Sequence, residues 1–259
     1  KNSLESVKHI IAVSSCKGGV GKSTIALNIA TALHLNGAQV GLFDADIHGP
    51  SLPTLIRPTE MTEATTDEYI PPFLNEGIKL MSYGYIQQQA NQPAILRGPI
   101  ASNLLKQILF NTEWGHLDYL IIDCPPGTGD ILLSITQEIQ LSASIIITTP
   151  HEMSYVDVEK GIEMFNKVNV KNAAIIENMS YFKCSSCDEK HHIFGSGRLQ
   201  RTAKKHNIHQ FYEIPIHQEL SSHNDKNIPF LMATTDTEII DQFKRIANDC
   251  AWFIQENTE

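Results

Sequence analysis

The residue types at positions 14–24 are those of a loop that binds phosphate. They read Ser-Ser-Cys-Lys-Gly-Gly-Val-Gly-Lys-Ser-Thr. Glycines let successive backbone N–H groups turn toward phosphate oxygens, and a helix that starts at the end of the loop adds its partial positive charge. The Lys22 side chain would reach the β- and γ-phosphates, and the Ser23 hydroxyl would bind Mg²⁺. The residues predicted to hold the nucleotide are Gly18, Gly19, Val20, Gly21, Lys22, Ser23 and Thr24.

Acidic residues follow two of the predicted strands. Asp44 and Asp46 come after one apolar stretch, and Asp123 ends another. Ligands of open parallel sheets bind at the carboxyl ends of the strands, where these carboxylates would meet. Asp123 would accept a hydrogen bond from a Mg²⁺-bound water, because Mg²⁺ requires hard oxygen ligands. The alternative for Asp44 and Asp46 is a pair of turn-forming aspartates before a Gly-Pro pair.

Two cysteines, Cys184 and Cys187, form a Cys-x-x-Cys pair in a loop predicted at about 180–195. The spacing alone leaves three interpretations open: a redox pair, half of a zinc site, or two unrelated surface thiols. The sequence has no second such pair, whereas two copies facing across a two-fold axis would supply four thiolates. Four thiolates suit either Zn²⁺ or a 4Fe–4S cluster. A single-chain zinc site with His191 and His192 ranks below the bridged site.

The elements that would position these residues alternate between buried strands and amphipathic helices. Strands are predicted at 10–13, 38–43, 78–81, 117–123, 143–149, 173–179 and 210–214. A final helix carries one apolar stripe made of Ile239, Phe243, Ile246, Cys250 and Ile254. Residues 57–77 are predicted to be an irregular surface insertion, and 87–92 a polar loop. This alternation predicts one α/β domain over 1–259, with a doubly wound, mostly parallel sheet and helices on both faces.

Composition narrows the class of partner and the compartment. The 259 residues carry a net charge of −9, which argues against nucleic acid or an anionic membrane held by bulk electrostatics. Five cysteines are an odd number and do not resemble a secreted disulfide framework. We therefore expect a cytoplasmic protein, with an organellar stroma or matrix as the alternative. No apolar run reaches the roughly 18 residues of a membrane span. Because the chain starts at Lys1 rather than Met, the lack of a targeting peptide carries no weight.

The phosphate loop departs from the common pattern, with Cys16 at its first position and a second lysine, Lys17, after it. Lys-Gly-Gly-x-Gly-Lys-Ser/Thr resembles the deviant Walker A motif of the SIMIBI nucleotidases, the MinD-like P-loop NTPases. Three other stretches are Asp-Ala-Asp-Ile-His-Gly-Pro-Ser from Asp44, Asp-Cys-Pro-Pro-Gly-Thr-Gly-Asp from Asp123, and Glu-Asn-Met-Ser-Tyr-Phe-Lys-Cys-Ser-Ser-Cys from Glu177. Together these motifs resemble the Mrp/ApbC family of iron–sulfur cluster carriers, over the chain from about residue 10 onward.

The resemblance assigns catalytic roles to three residues, Lys17, Lys22 and Asp46. It implies that Lys17 reaches across a dimer interface to the partner's nucleotide; the alternative is a solvated loop lysine. It also implies that Asp46 orients the attacking water and that Asp44 helps to hold hydrated Mg²⁺, within the segment called switch I. Residues 123–130 resemble switch II, which would move when the γ-phosphate leaves.

The resemblance also assigns contacts to the adenine base. Asn178 would contact the base through its amide, which offers both a donor and an acceptor. The alternative is an asparagine that merely ends a strand. Pro215 would pack in a loop against the base. Cys16 and Cys124 lie in nucleotide loops and are assigned no ligand role.

The function that the resemblance implies is that of a slow, Mg²⁺-dependent ATPase and homodimer. It would assemble a labile 4Fe–4S cluster at the dimer interface and pass it to apoproteins; zinc could occupy the thiolates in the protein as isolated. One alternative is a MinD/ParA-type spatial-organising ATPase acting on membrane or DNA, which the acidic balance and the final helix disfavour. Another is a zinc-bridged dimeric ATPase for tail-anchored membrane proteins. That role would need a Met-rich groove, which six scattered methionines do not supply.

Overall fold

The computed structural model describes residues 3–63, 68–90, 98–127, 129–217, 220 and 227–258. Within these residues, nine strands form one sheet. They are β1 Val7–Ser14, β2 Val40–Asp44, β3 Glu60–Met61, β4 Phe73–Asn75, β5 Ile78–Ser82, β6 Leu117–Asp123, β7 Ala143–Thr148, β8 Asn172–Glu177 and β11 Phe211–Glu213. Their order across the sheet is β11-β8-β7-β1-β6-β2-β5-β4-β3. The seven strands from β11 to β5 are parallel, and β4 and β3 extend one edge in antiparallel orientation. The strands β9 Phe182–Lys183 and β10 Lys190–His191 form a separate hairpin.

Helices connect the strands and cover the sheet. They are α1 Lys22–Leu35, α2 Leu52–Leu55, α3 Tyr83–Ala90, α4 Gly98–Asn111, α5 Asp130–Thr136, α6 Glu152–Lys167, α7 Arg198–Lys205, α8 Phe230–Ala233 and α9 Thr237–Thr258. From β1 the chain first builds the sheet toward β5, then returns through β6 and builds outward through β7 and β8. Because parallel crossovers are right-handed, building in opposite directions places helices on opposite faces. The predicted doubly wound, mostly parallel sheet is confirmed.

The strands that build the centre of the sheet are buried on both faces. All residues of β7 and β8 are buried, as expected for strands that helices cover from both sides. The apolar stripe predicted on the last helix is also confirmed: its five residues are at most 2% exposed, and α9 packs on α1. No helix in the part of the chain that the structure describes is long and apolar enough to cross a membrane.

Two segments differ from, or add to, the sequence prediction. The prediction of a polar loop at 87–92 is wrong for residues 87–90, which end α3; the rest of that loop lies outside the described residues. The helix forms because Tyr83 and Tyr85 are buried at its start, and the Tyr85 hydroxyl donates to the Ile56 carbonyl at 2.8 Å. The predicted insertion at 57–77 contains the short strands β3 and β4.

Candidate nucleotide site and cysteine hairpin

The predicted phosphate loop lies between β1 and α1, at the carboxyl edge of the parallel sheet. Gly19 and Gly21 have φ angles of 76° and 81°, a left-handed conformation that glycine adopts without steric cost. A Cβ atom at position 21 would also lie 2.4 Å from Nδ2 of Asn178. Backbone conformation and the close approach of Asn178 therefore both require glycine at position 21.

Asn178 follows β8 directly and supports the inner side of the loop. Its backbone N–H donates to the Thr148 carbonyl at 2.8 Å, and its Nδ2 donates to the Val20 carbonyl at 2.9 Å. Its Oδ1 is buried and has no hydrogen-bond partner among the described residues. A buried acceptor without a partner costs free energy until a donor reaches it. The exocyclic amine of adenine is a donor of that kind.

A buried ion pair joins the loop to β6. The Nζ atom of Lys22 donates to Oδ1 of Asp123, and both side chains are almost fully buried. Burial raises the pKa of Asp123, and the Lys22 ammonium opposes that rise. Lys22 also lies 3.5 Å from Oγ of Ser23, which accepts a hydrogen bond from Oγ of Ser51 at 2.6 Å. Phosphate oxygens would compete with Asp123 for the Lys22 ammonium.

Asp44 is the neighbour of Asp123 across the sheet, because the register of β2 and β6 places the two residues side by side. The Asp44 carboxylate is buried and accepts from the Leu52 N–H at 3.1 Å and from the Ser82 hydroxyl at 3.0 Å. Burial, reinforced by the charge of Asp123, raises the pKa of Asp44 to about 6. Two adjacent buried acids create negative charge that a cation can offset.

Asp46 lies at the wall of a cleft in front of the loop. The cleft has a volume of about 280 Å³ and is also lined by Lys17, Ser23 and Ser51. The backbone N–H of Asp46 donates to Asp44 Oδ1 at 3.0 Å, and the Asp46 Oδ1 accepts from the Gly49 N–H at 3.0 Å. The carboxylate is therefore held at the cleft surface, where it can contact a water molecule.

The donor set of this cleft fits a hydrated Mg²⁺ ion. Mg²⁺ usually keeps several waters and binds through one or two carboxylates together with substrate phosphates. Ser23 offers its hydroxyl at the cleft, and Asp44 and Asp123 lie behind it. No group of three or more His, Cys, Asp or Glu side chains in the described ranges could hold a metal ion. A bound phosphate would supply further oxygen ligands of the kind that Mg²⁺ prefers.

Lys17 is exposed and lies between two cavities. It lines the cleft and also a second cavity of about 220 Å³, together with His151, Met179 and Phe194. The His151 and Phe194 rings lie 5.7 Å apart. Large apolar side chains are exposed on the same segments: Met153 is 75% exposed and Phe194 47% exposed.

The remaining predicted contact to the base is Pro215. Pro215 lines a different cavity, of about 480 Å³, together with Tyr181, Cys184 and Ile216. Its contact with the base stays a prediction. Within switch II, Thr128 lies outside the described residues, whereas the Gly127 N–H donates to the Ser15 carbonyl at 2.8 Å.

The cysteine pair forms the turn of the β9–β10 hairpin. The Cys184 N–H donates to the Glu189 carbonyl at 2.9 Å, which closes the turn. Backbone N–H groups of Ser186 and Cys187 hydrogen-bond to the Cys184 sulfur and lower its pKa. Cys187 is exposed. A lowered pKa favours the thiolate, which is the form of cysteine that binds soft metals.

The structure does not assemble the single-chain zinc site. The centroid of the His192 ring lies 5.8 Å from that of the Tyr181 ring, and Nε2 of His191 lies 3.9 Å from Oε2 of Glu189. Within the described part of the chain, neither histidine joins the cysteines in a group that could hold a metal. The hairpin therefore presents two thiols.

The remaining cysteines are unsuited to ligation. Burial raises the pKa of Cys16 to about 11, and its sulfur lies so close to Gly161 of α6 that a Cβ there would be 2.6 Å away. Burial raises the pKa of Cys124 and of Cys250 to about 12. All three thiols stay protonated at neutral pH.

A family model described as "ParA: NUBPL iron-transfer P-loop NTPase" matches residues 6–251. The chain belongs to this family. An iron-sulfur cluster carrier protein of Aquifex aeolicus is 41% identical over 249 residues, which are 95% of this chain and 68% of the relative. The iron-sulfur cluster transfer protein NUBPL of Dictyostelium discoideum is also 41% identical, over 96% of this chain and 77% of the relative.

Solved structures agree with this family of P-loop NTPases. A nucleotide-binding protein of Archaeoglobus fulgidus, in complex with ADP, is 34% identical with a TM-score of 0.75, over 88% of this chain and 90% of that one. The cell division ATPase MinD of Pyrococcus furiosus has a TM-score of 0.64 at 17% identity, over 95% and 99% of the two chains. The likeness to MinD shows the shared fold.

Sequence reasoning missed several contacts of the site. Ser51 lies five positions after Asp46, in the stretch that resembles switch I, and this place in the motif is a usable signal for its contact with Ser23. Ser82 binds Asp44 from 38 positions away and carries no local signal. Glu177, directly before Asn178, forms a buried contact with Tyr155 that no motif indicated.

We predict that brief alkylation near pH 7.5 labels Cys184 and Cys187 far faster than Cys16. A pKa of about 11 leaves Cys16 only about one thiolate in 10³–10⁴ at that pH. As pH falls from about 9 to 7, the rate at Cys16 should drop about tenfold per unit, whereas the lowered pKa of Cys184 should keep its rate higher. Peptide mass mapping of reduced, metal-free protein measures these rates.

A control pulse in denaturant should label all five cysteines alike. Labelling of Cys16 as fast as Cys184 in the folded protein would contradict the assignment of its thiol as half-buried and protonated.

Proposed function

We propose that this chain binds and hydrolyses ATP, and that it carries a labile 4Fe–4S cluster to apoproteins. One observation carries the proposal: Asn178 contacts the nucleotide loop, and Cys184 opens the cysteine turn six positions later. The relatives named as iron–sulfur cluster carrier and transfer proteins support the cargo. The Archaeoglobus fulgidus protein in complex with ADP supports the nucleotide.

Hydrolysis would proceed by in-line attack of water on the γ-phosphate, with the protein supplying position and charge. Backbone N–H groups of residues 18–21 would hold the phosphates, and Lys22 would exchange Asp123 for the β- and γ-phosphates. Asp46, oriented by its bond from the Gly49 N–H, would orient the attacking water. Mg²⁺ would offset phosphate charge, held by Ser23 with Asp44 and Asp123 behind it.

We propose that two copies of the chain form the complete ATPase. Lys17 is exposed at the cleft, so it can reach a nucleotide in a facing subunit. Phe194 lines the cavity beside Lys17, and Met153 and Val156 lie on α6, which starts directly after residues 149–151 of that cavity. These three apolar side chains are exposed, and a facing copy would bury them. Turnover would be slow, because each site lacks a residue until the second chain arrives.

The dimer also explains the cysteine turn. One chain supplies two thiolates, and a 4Fe–4S cluster requires four ligands. Two hairpins related by the dimer axis would supply them from Cys184 and Cys187 of each chain. The same soft ligands accept Zn²⁺, which can replace iron during aerobic purification.

The MinD/ParA-type alternative is disfavoured by the last helix. A membrane-binding role for α9 needs its apolar stripe at the surface, and Phe243, Ile246 and Cys250 are fully buried. The net charge of −9 opposes binding to DNA. For the tail-anchored alternative, the relatives described above carry names of iron–sulfur proteins.

We predict that Lys17→Ala and Asp46→Asn each retain ATP binding and lose about 100-fold or more in turnover. Mixed in equal amounts under conditions that exchange subunits, they should recover about a quarter of wild-type activity, because half the dimers are mixed and one site of each is intact. That site has its own Asp46 and the partner's Lys17. Steady-state phosphate release measures the recovery.

The matched control mixes Asp46→Asn with Lys22→Ala. Both residues act within their own subunit, so every site of that mixed dimer stays defective and no activity should return. Recovery in this control, or none in the Lys17 mixture, would contradict the action of Lys17 across the interface.

We predict about four iron atoms per dimer after anaerobic reconstitution. Cys184→Ser and Cys187→Ser should each abolish this iron while ATP affinity stays near wild type, because the hairpin turn lies outside the phosphate cleft. Cys16→Ser is the control and should retain full iron. Iron analysis with a visible spectrum and light scattering measures the result.

Full iron in the double variant Cys184→Ser/Cys187→Ser would place the site elsewhere. Stable iron on a strictly monomeric species would contradict the bridged arrangement.

A further inference from the structure

Glu177 is a buried carboxylate to which the proposed reaction gives no role. It is 2% exposed and ends β8, directly before Asn178. Its Oε1 accepts from the Ser180 hydroxyl at 2.6 Å, and its Oε2 accepts from the Tyr155 hydroxyl. Burial and the bond to Glu177 raise the pKa of Tyr155, so its hydroxyl keeps the proton that it donates. Both carboxylate oxygens are thus held by hydroxyl donors.

These bonds close a turn. Between Glu177 and Ser180 the backbone of Met179 has a φ angle of 55°, a left-handed conformation that is uncommon for a residue with a side chain. The Ser180 N–H donates to the Ile214 carbonyl at 2.9 Å. The carboxylate therefore holds a turn of fixed shape and attaches it to Tyr155 of α6.

The turn lies between the nucleotide loop and the cysteine hairpin. On one side, Asn178 donates to the Val20 carbonyl, and Met179 lines the cavity that Lys17 also lines. On the other side, the Tyr181 carbonyl accepts from the Ile216 N–H at 2.8 Å, and β9 begins at the next residue. Because Asn178 and Tyr181 are both held by hydrogen bonds, a displacement of Asn178 must either shift the hairpin or break one of these hydrogen bonds.

The helix that carries Tyr155 reaches the same cavity. It starts directly after Thr149, Pro150 and His151, which line the cavity beside Lys17. Tyr155 lies in the first turn of this helix and connects that wall to Glu177. The Glu177 carboxylate therefore joins α6, which follows the cavity wall at 149–151, to the segment 178–183 that leads to Cys184.

We propose that Glu177 is a positioning residue which, with Tyr155 and Ser180, couples the nucleotide loop to the Cys184–Cys187 turn. A nucleotide that shifts Asn178 or the 149–151 wall moves the turn at residues 177–180, and the turn passes the movement to the hairpin. By linkage, a metal bound at the hairpin changes the nucleotide affinity by the same factor as the nucleotide changes the metal affinity. The biological meaning of the coupling rests on the proposed function, whereas the coupling itself can be read from thiol reactivity.

The test compares Tyr155→Phe with a matched control, Tyr212→Phe. Tyr212 is also a buried tyrosine whose hydroxyl donates to a carboxylate, that of Asp249, at 2.6 Å. Asp249 lies on α9 and is not part of the turn at residues 177–180. The readout is the alkylation rate of Cys184 in metal-free protein, with saturating Mg·ATP and without nucleotide. Thermal unfolding and ATP affinity are measured on the same samples.

In the wild type, Mg·ATP should change the Cys184 rate by about fivefold or more. Tyr155→Phe should bring the ratio of the two rates to within about twofold of one, with ATP still bound, and Tyr212→Phe should keep the wild-type ratio. Ser180→Ala removes the other arm of the contact and should also reduce the ratio, which keeps the test valid if Tyr155→Phe does not fold.

A wild-type ratio near one, or an unchanged ratio in both Tyr155→Phe and Ser180→Ala, would overturn the proposal. An equal loss in Tyr212→Phe would do so as well, because it would show general loosening. Failure of the proposed function is seen separately: a protein that binds no iron yet keeps the nucleotide-dependent ratio refutes the cargo and leaves the coupling intact.

Discussion

The buried contact between Lys22 and Asp123 is the interaction on which this site depends. The register of β1 and β6 pairs Val13 with Asp123, so the loop after β1 and the acid ending β6 meet although 101 positions separate the two charged residues. Removing one partner of such a pair leaves a buried charge that costs about 3–5 kcal/mol. Asp123 therefore keeps the Lys22 ammonium in place, and a phosphate group, with its greater negative charge, can replace Asp123 as the partner of that ammonium.

The same parallel sheet brings the second centre within reach. β8 lies two strands from β1, and its last residues place Asn178 against the phosphate loop. The chain then turns at Met179 and enters the hairpin that carries Cys184, which is half-buried, and Cys187, which is exposed. The proposed nucleotide and cargo sites can share one edge of the sheet because the parallel strands that lead to them end there.

The features that could be predicted from sequence are those that depend on residues close together in the chain. Glycine spacing gave the phosphate loop, apolar runs gave the strands, and helical periodicity gave the buried stripe of α9. The features that were predicted wrongly or missed depend on contacts between residues that lie far apart in the sequence. Residues 87–90 are helical because the Tyr85 hydroxyl at the start of the helix binds the Ile56 carbonyl, and Asp44 is held by Ser82 of the adjacent strand β5. No window of sequence contains both members of such a pair.

The central claim is that one chain joins ATP use to delivery of a cluster. The most direct measurement mixes reconstituted protein with a purified apoenzyme whose activity requires one 4Fe–4S cluster, and follows the recovery of that activity. We expect wild-type protein to restore activity, with a rate that differs by about fivefold or more between Mg·ATP and no nucleotide, whereas Lys22→Ala shows no nucleotide effect. The claim would be contradicted if wild-type protein restored no apoenzyme activity, or if its rate of restoration were the same with and without Mg·ATP.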